Sequence, residues 1–361
     1  MSVEDIEIAI IGAGLSGLAA GLQLQKAGRA IKILEARQRT GGRIHSARQP
    51  ETGAIVGDLG PTWVWPPYQP VVRKWLERLN LSLFDQFEDG QAIVDAGPGQ
   101  PLQLGFAPGQ QGIARVRGYS QALILALEAG LPDDAITIDS PVTAVETTGS
   151  SLILEIGGAQ PRQIRADKVI CALPPRLAVS QITWRPGLPP ALTQAMQSTP
   201  TWMASHAKAV AIFDRAHWRD KGMSGRIVGR TGPLAEAHDH SGPDGVPAGI
   251  FGFIGWPHQM RAEHAARLSE LISTQLERCF GALPTTIWIE DWACDPFTAT
   301  PDDLRGPMEH PTVGPSVLRA PLFDGRLVFA GAETASQSPG LIEGALVSAD
   351  HAAAVILADA S

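Results

Sequence analysis

Ile6-Glu7-Ile8-Ala9-Ile10-Ile11-Gly12-Ala13-Gly14-Leu15-Ser16-Gly17 is the stretch that decides the fold. The run from Ile6 to Ile11 reads as a buried parallel strand, and it passes directly into a G-x-G-x-x-G. Gly12 permits a tight turn, Gly14 lets the backbone approach a pyrophosphate, and Gly17 allows a helix to pack closely on the strand. Ala13, Leu15 and Ser16 complete the turn, whose free amides and helix dipole face the phosphates. Leu18, Ala19, Leu22 and Leu24 predict a helix ending near Gly28. A second strand runs from Ala30 to Leu34 and stops at Glu35, which is placed to accept hydrogen bonds from an adenosine ribose. Strand, turn, helix, strand and acid at this spacing predict a bound dinucleotide, without separating a nicotinamide from a flavin.

The bulk properties narrow the classes. The 361 residues are 44% hydrophobic with a formal net charge of -8, so a sizeable core is expected and no basic stripe invites nucleic acid. No stretch reaches the ~18 apolar residues that a membrane span needs. Met1-Ser2-Val3-Glu4-Asp5 lacks the basic start of a secretory signal. Cys171, Cys279 and Cys294 are odd in number and far apart, which argues against a disulfide framework and for a reducing, cytoplasmic location.

The next segment, Glu35-Ala36-Arg37-Gln38-Arg39-Thr40-Gly41-Gly42-Arg43, resembles the flavin-containing amine oxidase superfamily, which includes monoamine and polyamine oxidases. The resemblance implies FAD, with Gly42 keeping bulk away from the cofactor and Arg43 approaching its pyrophosphate as a charged donor. It extends along most of the chain. Asp58-Leu59-Gly60-Pro61-Thr62-Trp63-Val64 is similar to the family segment that passes beside the flavin ring. Gly118-Tyr119-Ser120 opens a helix where relatives carry two glycines. Val142 matches a valine that clasps adenine by its backbone. A meander over Ser151–Ile156 and Arg162–Arg165 precedes Ala166-Asp167-Lys168-Val169-Ile170-Cys171-Ala172-Leu173-Pro174-Pro175, a strand returning to the cofactor domain. Ser205 to Phe213 alternates as a strand carrying Lys208, the position that in relatives holds a water against flavin N5; a lysine among apolar neighbours is costly to bury. A further strand spans Ala248 to Gly255, and an amphipathic helix is expected over Arg261 to Phe280. Trp292 matches a family tryptophan beside the flavin. Leu327 to Thr334 and Ser338 to Ala345 resemble the F-A-G-x-E…G-x-x-E-G-A signature, which implies cofactor contacts from Gly331, Glu333, Leu341 and Ile342.

The fold class implied is α/β: a Rossmann-like FAD-binding domain of discontinuous segments (residues 1–66, 110–190 and 320–361) with an α+β substrate domain on an antiparallel sheet (67–109 and 191–319). The cysteine that tethers FAD in monoamine oxidases is absent, so the FAD is expected to be non-covalent. The family's aromatic cage is incomplete: Leu341 takes one ring position and the region of Asp302 the other, leaving Trp63, Trp65, Trp256 or Phe297 to compensate. His238, Asp239, His240 and Asp244 lie in a loop-like stretch and are read as solvated rather than metal-binding. The implied reaction is hydride removal from a carbon bearing nitrogen in a small amine or amino acid, with Lys208 as the catalytic candidate and O2 or another acceptor reoxidising the flavin. Alternatives are a desaturase or oxidase of C–C bonds, resembling phytoene desaturase or protoporphyrinogen oxidase, and a non-catalytic FAD-binding protein.

Overall fold

Two large sheets carry most of the strands, with two two-stranded ribbons beside them, and the cofactor motif lies at the end of the first large sheet. The structure, a computed structural model, describes residues 3–97, 99, 101–104, 112–305 and 310–358. Glu4–Ile11 sits centrally in an eight-stranded sheet because its last four residues, Ile8 to Ile11, are buried. It pairs in parallel with Ile31–Leu34 on one side and with Arg162–Cys171 on the other. The first helix, Leu15–Lys26, crosses between the two parallel strands and stops at Ala27, with Gly28 at φ +79° beyond it. It packs on the last helix, Ile342–Ala358, through one apolar cluster that includes Leu18, Leu22, Ile170, Leu346 and Ala349.

Arg162–Cys171 is the seam of this sheet. Rather than a short meander strand followed by a separate returning strand, the segment is one continuous strand of ten residues. Its first half pairs antiparallel with Ser151–Ile156, and its last three residues pair in parallel with Leu327–Phe329. Pairing runs through the expected boundary on both sides, with Ser151–Ile156 up to Ala166 and with Glu4–Ile11 from Ile164 to Cys171, so the ladder has no gap at which the strand could break.

The second sheet has seven strands, ordered Thr286–Asp291, Ala207–Phe213, Ala248–Ile254, Leu234–Asp239, Met223–Gly229, Gln91–Asp95 and Leu102–Leu104. Its pairings are antiparallel except that of Met223–Gly229 with Gln91–Asp95. Leu268–Phe280 covers one face through Ile272, Leu276 and Phe280. The expected single helix from Arg261 to Phe280 is broken: His258–Glu263 and Leu268–Phe280 are separated by a 3-10 turn at Ala265–Arg267. Arg261 explains the break. Its buried guanidinium grips Asp291 through Nε at 2.7 Å and Nη2 at 2.6 Å, and donates to the Trp256 and Ser205 carbonyls. These contacts anchor the first piece to the sheet edge, off the axis of the second. Pro70–Arg78, within the segment 67–109, packs against the last helix: Val72, Trp75 and Leu76 join the first cluster, and Trp75 donates to Asp350.

Ile170 is wholly buried at the seam between both sheet halves and the helices. Ile170→Ala is expected to lower the unfolding free energy by about 2–5 kcal/mol in urea titrations.

Candidate active site

A cavity of about 590 Å³ opens where the ends of the first sheet face the second. Gly12, Gly14, Leu15 and Ser16 form its floor. Gly14 is the N-cap of the first helix, and neither a side-chain cap nor an acid in the first turn occupies the amides there. Gly17 stands behind this floor: a Cβ on it would lie 2.0 Å from the Gly12 carbonyl oxygen and 3.2 Å from Ala172 Cβ. A helix N-terminus left open onto a cavity, with bare backbone around it, fits a diphosphate.

Charged side chains frame that end. Glu35 accepts from the amides of Ala13 at 2.8 Å and Arg37 at 2.9 Å, which holds its carboxylate at the end of the second strand. Arg37 bonds Asp295 at 2.8 Å and Thr298 at 2.9 Å, and its guanidinium lies 5.4 Å from the Phe297 ring centre. Arg43 forms a two-pronged pair with the buried Glu333, at 2.5 and 2.9 Å. Glu333 also accepts from the amide of Trp202, and Arg43 donates to the Trp202 carbonyl. At the start of the last helix Glu343 accepts from the amides of Val71 and Val72.

Lys208 projects into the cavity from near the start of Ala207–Phe213, a strand buried at every residue. Its Nζ donates to the Gly60 carbonyl at 2.6 Å and lies 5.4 Å from the Phe253 ring and 5.7 Å from the Phe251 ring. Burial lowers its ammonium to about 7, with Asp58 pulling it up and Arg43 pushing it down. Asp58, at the end of Ile55–Asp58, is itself raised to about 7 by burial, against the Ser120 amide and the nearby Arg115 and Lys208 charges. Gly60 is bare for a reason: a Cβ there would sit 1.9 Å from the Arg43 carbonyl oxygen. Trp63 stands edge-on to Phe251, with centroids 5.6 Å apart, and donates to Gln86.

Of the residues expected at the cofactor, the cavity wall holds Gly12, Gly14, Leu15, Ser16, Glu35, Arg37, Gly42, Arg43, Gly60, Pro61, Thr62, Trp63, Trp292, Leu341 and Ile342, together with Lys208. Ala13, Gly17, Ala36, Gly331 and Glu333 fall outside the wall. Ala13 and Glu333 act through their bonds to Glu35 and Arg43, and Gly331 packs against the Leu173 carbonyl. Val142 also lies outside it: its side chain belongs to the apolar cluster on the opposite face of the first sheet, and its backbone is in register with Ile156. Trp65 and Phe297 line the cavity, whereas Trp256 packs on His264 away from it. His238 and Asp239 end the strand Leu234–Asp239 rather than lying in a solvated loop, because they pair with Phe251 and Ile250. His240 is fully buried and accepts from the Asp58 amide, while Asp239 is held by Trp218 and Arg219. Sequence reading missed Tyr68, Trp202 and His310, which also line the wall, with the Trp202 and His310 rings 4.9 Å apart. Their loops carry no periodic signal.

Comparison with known proteins places this geometry. Residues 97–357 match the model of the flavin containing amine oxidoreductases, and residues 10–79 match that of an NAD(P)-binding Rossmann-like domain. The chain is 30% identical over 233 residues to flavin-containing amine oxidase B of Canis lupus familiaris, spanning 62% of this chain but 43% of that protein. It is 23% identical to its counterpart in Mus musculus over 97% of this chain and 86% of the other. Among solved structures, a wild-type putrescine oxidase bound to putrescine superposes with a TM-score of 0.78 at 20% identity, covering 99% of this chain and 100% of that one. Cyclohexylamine oxidase of Brevibacterium oxydans superposes at 0.80 and 18% identity, covering 99% of each chain.

Gly17→Ala drives a methyl into the Gly12 carbonyl. The purified variant is expected to retain at least about tenfold less flavin by absorbance, with an unchanged far-ultraviolet circular dichroism spectrum.

Proposed function

The chain belongs to the family of flavin-containing amine oxidoreductases, and from that premise we propose that it oxidises a C–N bond of a small amine to an imine, with non-covalent FAD and with O2 as electron acceptor. The observation that carries the reading is Lys208: a lysine on a fully buried strand, facing a cavity floored by the open helix N-terminus. When bound, the flavin supplies the two-electron acceptor, taking a hydride from the carbon beside nitrogen and passing the electrons to O2 as hydrogen peroxide.

The chain's own residues do the rest. The amides at Leu15 and Ser16 and the Arg43 guanidinium would hold the diphosphate, and Glu35 the adenosine ribose. The first turn of the last helix, from Ile342, brings the positive end of its dipole to the wall, where it stabilises negative charge. Phe251, Phe253 and Trp63 exclude water from the space beside Lys208. On the amine, the nitrogen lone pair forms the new C=N bond as the C–H bond breaks, and the departing N–H proton passes to water. The imine then hydrolyses to a carbonyl compound and ammonia or a smaller amine. An ammonium cannot donate that lone pair, so the substrate reacts as the neutral amine.

The protonation state of Lys208 changes near neutrality. Its ammonium is present below about 7 and lost above it. Where the cation assists the return of electrons to O2, reoxidation slows as pH rises through that value. No helix among the described residues is long and apolar enough to cross a membrane. All three cysteines are unpaired, which supports a cytoplasmic setting.

Two measurements test the reading. Anaerobic addition of amines should bleach the flavin; bleaching by lipophilic alkenes or porphyrinogens alone would favour C–C oxidation. Lys208→Met should keep its flavin but reoxidise at least about tenfold more slowly below pH ~7, with a flat pH profile where the native protein shows an ionisation near 7. Native kinetics in that variant would remove Lys208 from the mechanism.

A further inference from the structure

We propose that Asp58 is the positioning residue behind Lys208: its buried carboxylate is the counter-charge that keeps the lysine a cation in the cavity wall. The inference rests on the role given to Lys208 above and deepens it, since it names the group that decides when that cation is present.

Asp58 ends the short strand Ile55–Asp58, which lies so close under Ala207–Phe213 that a Cβ on Gly57 would meet Val210 Cγ1 at 2.5 Å. Two residues on, the Gly60 carbonyl takes the Lys208 ammonium at 2.6 Å. One short segment therefore carries both the group that holds Lys208 and a wholly buried acid whose charge reaches it. Hydrogen bonds satisfy only half of that acid. Oδ1 accepts from the Ser120 amide at 2.9 Å, whereas Oδ2 finds no hydrogen-bond donor among the described residues. A buried carboxylate oxygen in that state is costly unless a cation offsets it.

The groups packed around Asp58 leave that part largely to Lys208. His240 lies alongside, with Nε2 3.7 Å from Oδ2, but burial and the Arg115 guanidinium 2.8 Å from its Nδ1 hold it well below the ordinary histidine range, so it brings no charge. Arg115 directs its own bonds to His240 and the Ser241 carbonyl and acts on Asp58 only through space. Tyr119 stays a neutral phenol, pushed up to about 12 by burial. Around Lys208 no other acid takes the place of Asp58. Glu290 is in register with it on the adjacent strand but is engaged by His45 at 2.7 Å. Arg43 repels the ammonium, and His206, two residues earlier, is neutral because burial, with Lys208 and Arg261, holds it at about 4. Lys208 and Asp58 both cross between charged and uncharged forms near neutrality, so they titrate as a coupled pair. Such coupling is reciprocal: removing either charge moves the other group.

The oxidised holoprotein, without substrate, gives the first readout. Lysine labelled with carbon-13 at Cε reports the titration of Lys208 by nuclear magnetic resonance, its signal assigned by its loss in Lys208→Met. In Asp58→Asn, whose side-chain oxygen can still accept from the Ser120 amide, the Lys208 midpoint is expected to fall from about 7 to ~6 or below. Flavin reoxidation in the same variant should then be about fivefold slower than native at pH ~7 and close to native at pH ~5, because only the population of the cation has changed. A merely structural defect would slow both. An unmoved Lys208 midpoint overturns the inference while amine oxidation stands. A midpoint that falls with native reoxidation upholds the pair and removes Lys208 from the return of electrons to O2. If Asp58→Asn does not fold, Lys208→Met carries the test in reverse. Infrared spectra of protein with carbon-13 aspartate should then show a buried carboxylic acid that survives to higher pH than in the native protein, and titration of that acid at the native pH refutes the pairing.

Discussion

One close approach governs the cofactor end of the molecule: the first helix lies so near the strand before it that the space at Gly17 admits only a hydrogen atom against the Gly12 carbonyl and Ala172. That contact sets where the helix begins, and so where its unpaired amides point. It also sets how far Ala13 can reach toward Glu35, and through Glu35 the placement of Arg37. Moving the helix outward by the width of a methyl group would displace each of these partners together, because protein interiors transmit rather than absorb such shifts.

Around this contact the charges are arranged in neutralised pairs, with one exception of interest. Arg43 with Glu333 and Arg37 with Asp295 leave little net field at the wall. Lys208 and Asp58 are both buried, and burial pushes both toward their uncharged forms. A lysine held near its titration point in an aromatic setting is a group whose charge answers to what binds beside it.

Much of this was legible in the sequence because it is local. The turn at Gly12–Gly17 and the acid at Glu35 follow from short-range geometry, and the strand carrying Lys208 follows from the alternation over Ser205 to Phe213. What escaped reading depends on distant partners. The break at His264 is imposed by Arg261 gripping Asp291, thirty residues on, while the amphipathic pattern runs through it undisturbed. Trp202 and His310 meet across the cavity from separate loops. Tyr119 holds φ +66°, with its ring 5.4 Å from the His240 imidazole. Val142 is a motif match on a strand whose side chain serves the far face of the sheet.

The order in which the two sheets are completed along the chain bears on biogenesis. All seven strands of the second sheet are in hand once Asp291 has been made, whereas the first waits for Leu327–Phe329 to pair beside Cys171 and for the final helix to cover the opening one. Contacts between the two ends of a chain this long are slow to form. Until that late strand and helix dock, the amino-terminal nucleotide loop stands half-walled, so a finished grip on the prosthetic group waits on the slowest contacts of the first sheet.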